Sequence, residues 1–378
     1  MNNKAIVIGA DHHNTLGVVE SLAQKGIRPY VILQTNYSDG YVLHSNNISG
    51  GWCCLSENDI IHCLLNNFND TVNKAIIIAT NDIVACALDN HYEELLPYFF
   101  LPTVEPKGQL RFWMEKEKMS ANARRVGLCV PETWIIKDNV IPDDICYPVI
   151  TKAISSVAGS KENIKICKNN TELIQFVSGN HCDTIQVQRF IDKEFEFQLL
   201  GCSLDGGKKV VIPGRTHIDR PNGIDNTFFL RFSKCEPELN DTIEKAIQFV
   251  KLTQYTGPFS IEFLRDKNDK KDYFTEMNFR NDGNAFCVTR AGMNIPYILY
   301  QYFSGGEYES EIQNSNINTV FLCPELYYFT RLLAREISFT EWMTNMRKSD
   351  CFTTFHKNDI KPFVWFILLA IKKRIKKL

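Results

Sequence analysis

Three short runs near the N-terminus constrain this chain most: KAIVIGA at 4–10, RPYVIL at 28–33 and AIIIAT at 75–80. Each is a near-continuous apolar stretch rather than an alternating one, as a strand buried on both faces requires. GVVESLAQKG, closed by Gly26, follows the first run and reads as a helix. DIVACALDNHYEELL follows the third and reads the same way. Strands alternating with helices in this order imply a parallel sheet with helices on both of its faces.

The first 110 residues therefore read as a Rossmann-like unit. Its first turn, GADHHNTLG, has Gly9 and Gly17 but lacks the middle glycine that lets a backbone approach a pyrophosphate, which argues against a dinucleotide site. Asp-His-His also opens a family of metal phosphoesterases. Without that family's other motifs, the triplet reads as a polar turn capping a helix. With 378 residues the chain has room for two or three domains, and a formal net charge of −2 gives no basic field for nucleic acid. The 13 cysteines include no CxxC pair, which excludes a zinc ribbon and argues against a disulfide framework. The N-terminus shows no signal-type apolar region, so a cytoplasmic protein is expected.

Beyond residue 110 the texture changes. A helix from Lys116 ends at Gly127, and YPVITKA and IKIC then flank the small-residue loop ISSVAGSKEN as a hairpin. TIQVQRFIDKEFEFQLLGCSL and KKVVIPGRTHI read as strands of a larger antiparallel sheet, and DTIEKAIQFVKLTQYTG as an amphipathic helix. PFSIEFLRD and KDYFTEMNFR form a second hairpin about DKNDKK. That hairpin carries the chemistry. Glu276 and Asn278, two apart, share a face, and pairing brings Glu262 alongside. Two carboxylates and an amide oxygen are hard ligands suited to Mg2+ on nucleotide phosphates. The plainer alternative is a solvated hairpin face. Upstream, Lys152 precedes a loop whose Gly159 allows backbone N–H groups to close over phosphate oxygens. No Walker A pattern is present.

In this order the motifs resemble the ATP-grasp superfamily of carboxylate–amine ligases, from about residue 5 to 291. EKEKMSANARRVGLCVPET looks like the family's opening D-K…G-x-x-x-P motif and places Lys116 on its first phosphate lysine. YPVITKAISSVAGSKENIKIC is similar to its P-V-V-K-P…G-S hairpin, with Lys152 on the second lysine and Gly159, Ser160 and Lys161 on the phosphate loop. VQRFIDKEFEF resembles the adenine hinge, with Gln188 where Glu is commoner, then Phe190 and Ile191, and Glu194 or Glu196 toward the ribose. The resemblance makes Glu262, Glu276 and Asn278 metal ligands and puts Arg280 on the phosphates or the acyl phosphate. Phe279 stands where the family usually has Pro.

The resemblance implies an α/β and α+β fold: a Rossmann-like domain (1–110), a central subdomain (111–185) and a C-terminal subdomain (186–310) that clamp ATP. Residues 311–378 form an extension. It also implies ATP with two Mg2+ ions, for which Mn2+ substitutes, and a carboxylate and an amine as substrates. A kinase on the same fold and a non-enzymatic nucleotide- or membrane-binding descendant are the alternatives left open, as is assembly into a homodimer. Arg215, Arg220 and Arg231 lie near where such ligases hold carboxylates, and each reads equally as a surface arginine. Residues 7–32 resemble family members associated with polysaccharide and cell-surface biosynthesis, which points to a sugar acid or an amino acid. The segment KPFVWFILLAIKKRIKKL ends with five Lys or Arg among seven residues. It reads either as an interfacial segment at the inner face of a membrane or as a packed helix with a basic end.

Overall fold

A computed structural model describes residues 3–152, 164–179, 184–218, 229–313 and 315–375. Among these residues the strands form three sheets. The first is parallel throughout: β1 (Ala5–Ala10), β2 (Tyr30–Gln34), β3 (Gly50–Cys54), β4 (Ala75–Ala79) and β5 (Phe99–Phe100), in the order β3-β2-β1-β4-β5. Ile6 and Ile8 of β1 enter one hydrophobic core while Ala5 and Val7 enter another. Burial on both faces is why this strand is apolar at every position. At Gly9 a Cβ would stand 1.7 Å from Thr80 Oγ1, so the glycine is needed where the chain ends of β1 and β4 converge.

The second sheet is antiparallel: β6 (Thr133–Lys137), β7 (Val149–Lys152), β8 (Ile166–Cys167) and β9 (Thr184–Arg189), in the order β6-β9-β7-β8. Val149, Ile185 and Val187 pack one face onto Leu173 and Val177 of the helix Asn170–Gly179. A boundary at residue 185 would cut β9, which pairs wholly within this sheet.

The third sheet comprises β10 (Lys193–Leu204), β11 (Lys209–Ile218), β12 (Leu230–Ser233), β13 (Gly257–Asp266), β14 (Asp272–Asn278), β15 (Val320–Cys323) and β16 (Cys351–Phe352). Their order is β14-β13-β10-β11-β12-β15-β16. Phe249 and Val250 of the helix Asn240–Thr253 share a core with Phe197, Phe263 and Phe274 on one face. Leu200, Cys202 and Phe232 share another with Ile298 and Leu299 of the helix Ile295–Ser304. β15 and β16 come from the region the sequence set apart as an extension, and they complete this sheet. Residues 190–192 join β9 to β10, and so the second sheet to the third, which is antiparallel except for the parallel pair β15–β16.

Candidate nucleotide and cation site

The β13–β14 hairpin brings Glu262 directly opposite Glu276 and Ser260 opposite Asn278. Phe274 and Glu276 are two apart and would normally share a face. A bulge intervenes, because Glu262 pairs with Glu276 while Phe263 pairs with Phe274, leaving Thr275 as the extra residue. Thr275 Oγ1 donates to the Glu262 carbonyl at 3.0 Å, which anchors the bulge. Phe274 thereby enters the core against Phe249, and Glu276 turns to the face of Glu262.

Hydrogen bonds fix the carboxylate face. Gln198 of β10 pairs with Glu262 and donates Nε2 to its Oε1 at 2.9 Å. Asn284 Nδ2 donates to Gln198 Oε1 at 2.9 Å. Asn278 Nδ2 donates to Ser260 Oγ at 3.2 Å and to Glu262 Oε1 at 3.4 Å. Burial pushes the Glu262 carboxyl well above the usual carboxylate range, with Glu276 and then Asp282 adding to it; Gln198 and Arg280 act against them. Facing carboxylates of this kind repel, and a divalent cation would relieve the repulsion. Among the described residues no three His, Cys, Asp or Glu side chains are grouped to hold a metal by themselves. The donor set here is two carboxylates and an amide, and it fits Mg2+ shared with phosphate oxygens.

The loop after β14 bolts this face to the parallel sheet. Arg280 Nε lies 3.2 Å from Asp82 Oδ1, and its Nη1 lies 3.2 Å from Asp282 Oδ2. Ser260 Oγ donates to the same Asp282 oxygen at 2.9 Å. The Asn281 N–H donates to the Ala79 carbonyl at 3.1 Å, and its Nδ2 to Asn14 Oδ1 at 2.7 Å. Asn14 Nδ2 in turn donates to the carbonyls of Thr80 and Asn281. These contacts lie at the C-terminal ends of β1 and β4, where the strand order reverses and open parallel sheets form their crevice. His12 caps the helix His13–Ala23, its ring accepting from the Asn14 N–H at 3.3 Å. The His12 and His13 rings lie 3.8 Å apart, and burial lowers the pKa of both, Arg280 adding to the effect at His12. A Cβ on Gly283 would come within 3.0 Å of His13 Nε2, so the imidazoles abut this loop.

No family model matches the sequence, and no curated protein does. Solved structures do match. The L-amino acid ligase from Bacillus licheniformis superposes with a TM-score of 0.63 at 16% identity, over 85% of this chain and 79% of that one. The biotin carboxylase domain of Hydrogenobacter thermophilus 2-oxoglutarate carboxylase, solved with MgADP, ADP and bicarbonate, gives 0.66 at 16% identity, over 85% and 74%. Rhizobium etli pyruvate carboxylase gives 0.65 at 15% identity over 85% of this chain, which spans 32% of its length. This chain has the ATP-grasp fold. The likeness establishes that fold.

In ATP-grasp terms, Lys116 opens the helix Lys116–Arg125. One turn on, Met119 is buried with its Sδ accepting from the Met277 N–H at 3.1 Å, which holds the helix start beside β14. Lys152 ends β7 opposite Gln186 of β9. Gly159, Ser160 and Lys161 lie outside the described residues, as does Arg220. Gln188, paired with Ile150 and Thr133, donates Nε2 to Thr133 Oγ1 at 3.2 Å. Gln186 shares its face, turned from Val187 and the small core, and its buried Oε1 has no hydrogen-bond partner among the described residues. Phe190, whose N–H donates to the Pro148 carbonyl at 3.0 Å, and buried Ile191 form the link between the sheets.

The structure separates the two ribose candidates. Glu196 lies on the face of Gln198 and Glu262 and is held by Lys193 at 2.6 Å. Glu194 is solvent-exposed and pairs with Lys270 at 3.0 Å. Arg231 lies on the other face of the sheet from the Glu262–Glu276 pair. It pairs with His217, one residue out of step with Thr216 beside Gln198, so it faces away from Glu262. Arg215 is on that far face too, doubly bonded to Glu236 at 2.6 and 2.8 Å and lying over Phe195 and Phe197. The face each arginine takes follows from the register of β10, β11 and β12, which the sequence around them does not reveal. Sequence reading also missed Asp82, Gln198, Ser260, Asn284 and Gln186 as partners of the site. Only the tertiary fold brings Asp82 and Gln198 to it, whereas Asp282 stands two residues after Arg280.

Proposed function

We propose that this chain is an ATP-dependent ligase that activates a carboxylate as an acyl phosphate and joins it to an amine. The observation that carries this reading is the facing pair Glu262–Glu276 with Asn278, on a sheet joined to the Lys152 sheet through residues 190–192. In the first step a substrate carboxylate oxygen attacks the γ-phosphorus, the bond to the β,γ-bridging oxygen breaks and ADP leaves. In the second, the amine nitrogen attacks the acyl carbon, the carbon–oxygen bond to phosphate breaks, and phosphate departs as the nitrogen gives up a proton.

Phosphoryl transfer asks for charge neutralisation and in-line positioning more than for an acid or base. Mg2+ held by Glu262, Glu276 and Asn278 would supply the first of these at the phosphates. Lys116, Lys152 and Lys161, with Gly159 and Ser160, bind phosphate oxygens in this reading. Gln188, Phe190 and Ile191 border the adenine, and Glu196 takes the ribose. Arg280, fixed by Asp82 and Asp282, balances charge at the acyl phosphate. The substrate class we favour is an amino acid or a sugar acid. The amino acid ligase among the structural matches supports the first; the second, with a role in cell-surface polysaccharide synthesis, rests on the resemblance of residues 7–32.

The test is nucleotide binding together with ATP turnover against panels of amino acids, sugar acids, bicarbonate and amines, with products weighed by mass spectrometry. The expected result is ADP and phosphate release that needs both an acid and an amine. A stable phosphorylated alcohol or amide would make it a kinase, and absence of ATP binding would overturn the reading altogether.

A further inference from the structure

The helix Lys361–Ile375 is apolar on two sides, and only one of them is covered. On the covered side Trp365 stacks on His44, ring centroids 3.7 Å apart, and Phe366 meets Tyr41 edge-on at 5.1 Å. Leu369 joins them against the core beneath. Val364, Ile367, Leu368 and Ile371 are 44, 37, 49 and 50% exposed. Those positions are spaced i, i+3, i+4 and i+7 and so form one stripe. Ile360, just before the helix and 49% exposed, extends it. Single exposed apolar residues are ordinary, whereas a continuous apolar stripe marks a contact surface.

Charge identifies the partner. Immediately after the stripe the sequence runs Lys372, Lys373, Arg374, Lys376 and Lys377 in a chain whose net charge is −2, so positive charge is concentrated at one end of the stripe. A second copy pairing stripe to stripe would offer an apolar face but would bring the same basic segment, and residues 360–378 hold no Asp or Glu to oppose it. An anionic phospholipid surface offers both, acyl chains for the stripe and phosphates for the cations. At 1.5 Å per residue the 15-residue helix is about 22 Å long, short of the roughly 30 Å of a bilayer core. No described helix is long and apolar enough to cross a membrane. We propose that this helix lies flat on an anionic membrane, stripe inward, with the basic segment on the lipid headgroups. The proposal is independent of the reaction assigned above.

Co-sedimentation of the full chain with vesicles tests it, comparing phosphatidylcholine alone with phosphatidylcholine containing phosphatidylglycerol. Binding is expected only to the anionic vesicles, falling as salt is raised. Leu368→Asp should abolish it, and Lys372→Gln should weaken it roughly fivefold, the effect of one basic residue near such a surface. Both positions are exposed, so thermal melting should show each variant folded. Equal sedimentation of the native chain and Leu368→Asp would overturn the proposal, as would no binding to anionic vesicles. Lipid-free self-association that Leu368→Asp removes would assign the stripe to a second copy instead.

Discussion

Glu276→Gln removes one of two facing charges with almost no change in volume. If the pair holds a cation at the phosphates, turnover should fall by about a hundredfold or more at saturating Mg2+, the scale of losing one preorganised electrostatic contact. The melting temperature of the metal-free protein should hold or rise, because the repulsion with Glu262 is gone. Turnover equal to the native protein's would remove the cation assignment. Lys152→Met should raise the apparent KM for ATP severalfold, since a positive contact to phosphate is lost; an unchanged KM, measured by initial rates, would mean the nucleotide lies elsewhere. At this scale the sequence was legible where a motif is local. Glu262, Glu276 and Asn278 stand on one hairpin, and period-two alternation predicts their common face. The face of Arg231 was not legible, because it depends on the register of β12 against β11, which no residue near it reveals.

Among the elements, the helix His13–Ala23 carries a second titratable feature. Glu20 is buried on it, accepts from Asn47 Nδ2 at 3.0 Å and lies near Asp359. Asp359 itself accepts from Ser45 Oγ and from the Asn46 N–H, tying residue 359 to the N-terminal domain. Burial raises the Glu20 carboxyl to about 7, against the hydrogen bond from Asn47 and with Asp359 adding to the rise. The native state therefore holds a proton that the unfolded chain releases near pH 4.5. The stability this confers is present below the unfolded value and is lost as pH rises through about 7. Chemical denaturation should show native stability declining by up to about 3 kcal/mol across that window, and Glu20→Gln should flatten the decline. An unchanged slope in the variant would place the titration elsewhere. Element identity was readable wherever the apolar period was long, as in β1, β2 and β4. β3 and β5 were not, because GGWCC and a two-residue FF carry no sustained period and owe their form to the neighbours they pair with.

For the whole molecule, a parallel unit followed by largely antiparallel sheets was legible from the switch in pattern near residue 110. The place of residues 311–352 was not: β15 and β16 are short strands added in turn beyond β12, β15 pairing with β12 and β16 with β15, and have no pattern of their own. The tail presented two readings, packed helix and interfacial segment; the structure packs Trp365, Phe366 and Leu369 on the body and leaves Val364, Ile367, Leu368 and Ile371 exposed. The central claim, that the site between the sheets activates a carboxylate, is tested most directly by isotope transfer. The acid that supports turnover should be supplied with both carboxylate oxygens labelled with oxygen-18, and the released phosphate weighed. The account predicts one labelled oxygen in each phosphate and one fewer in the amide product; phosphate free of label during full turnover would contradict it.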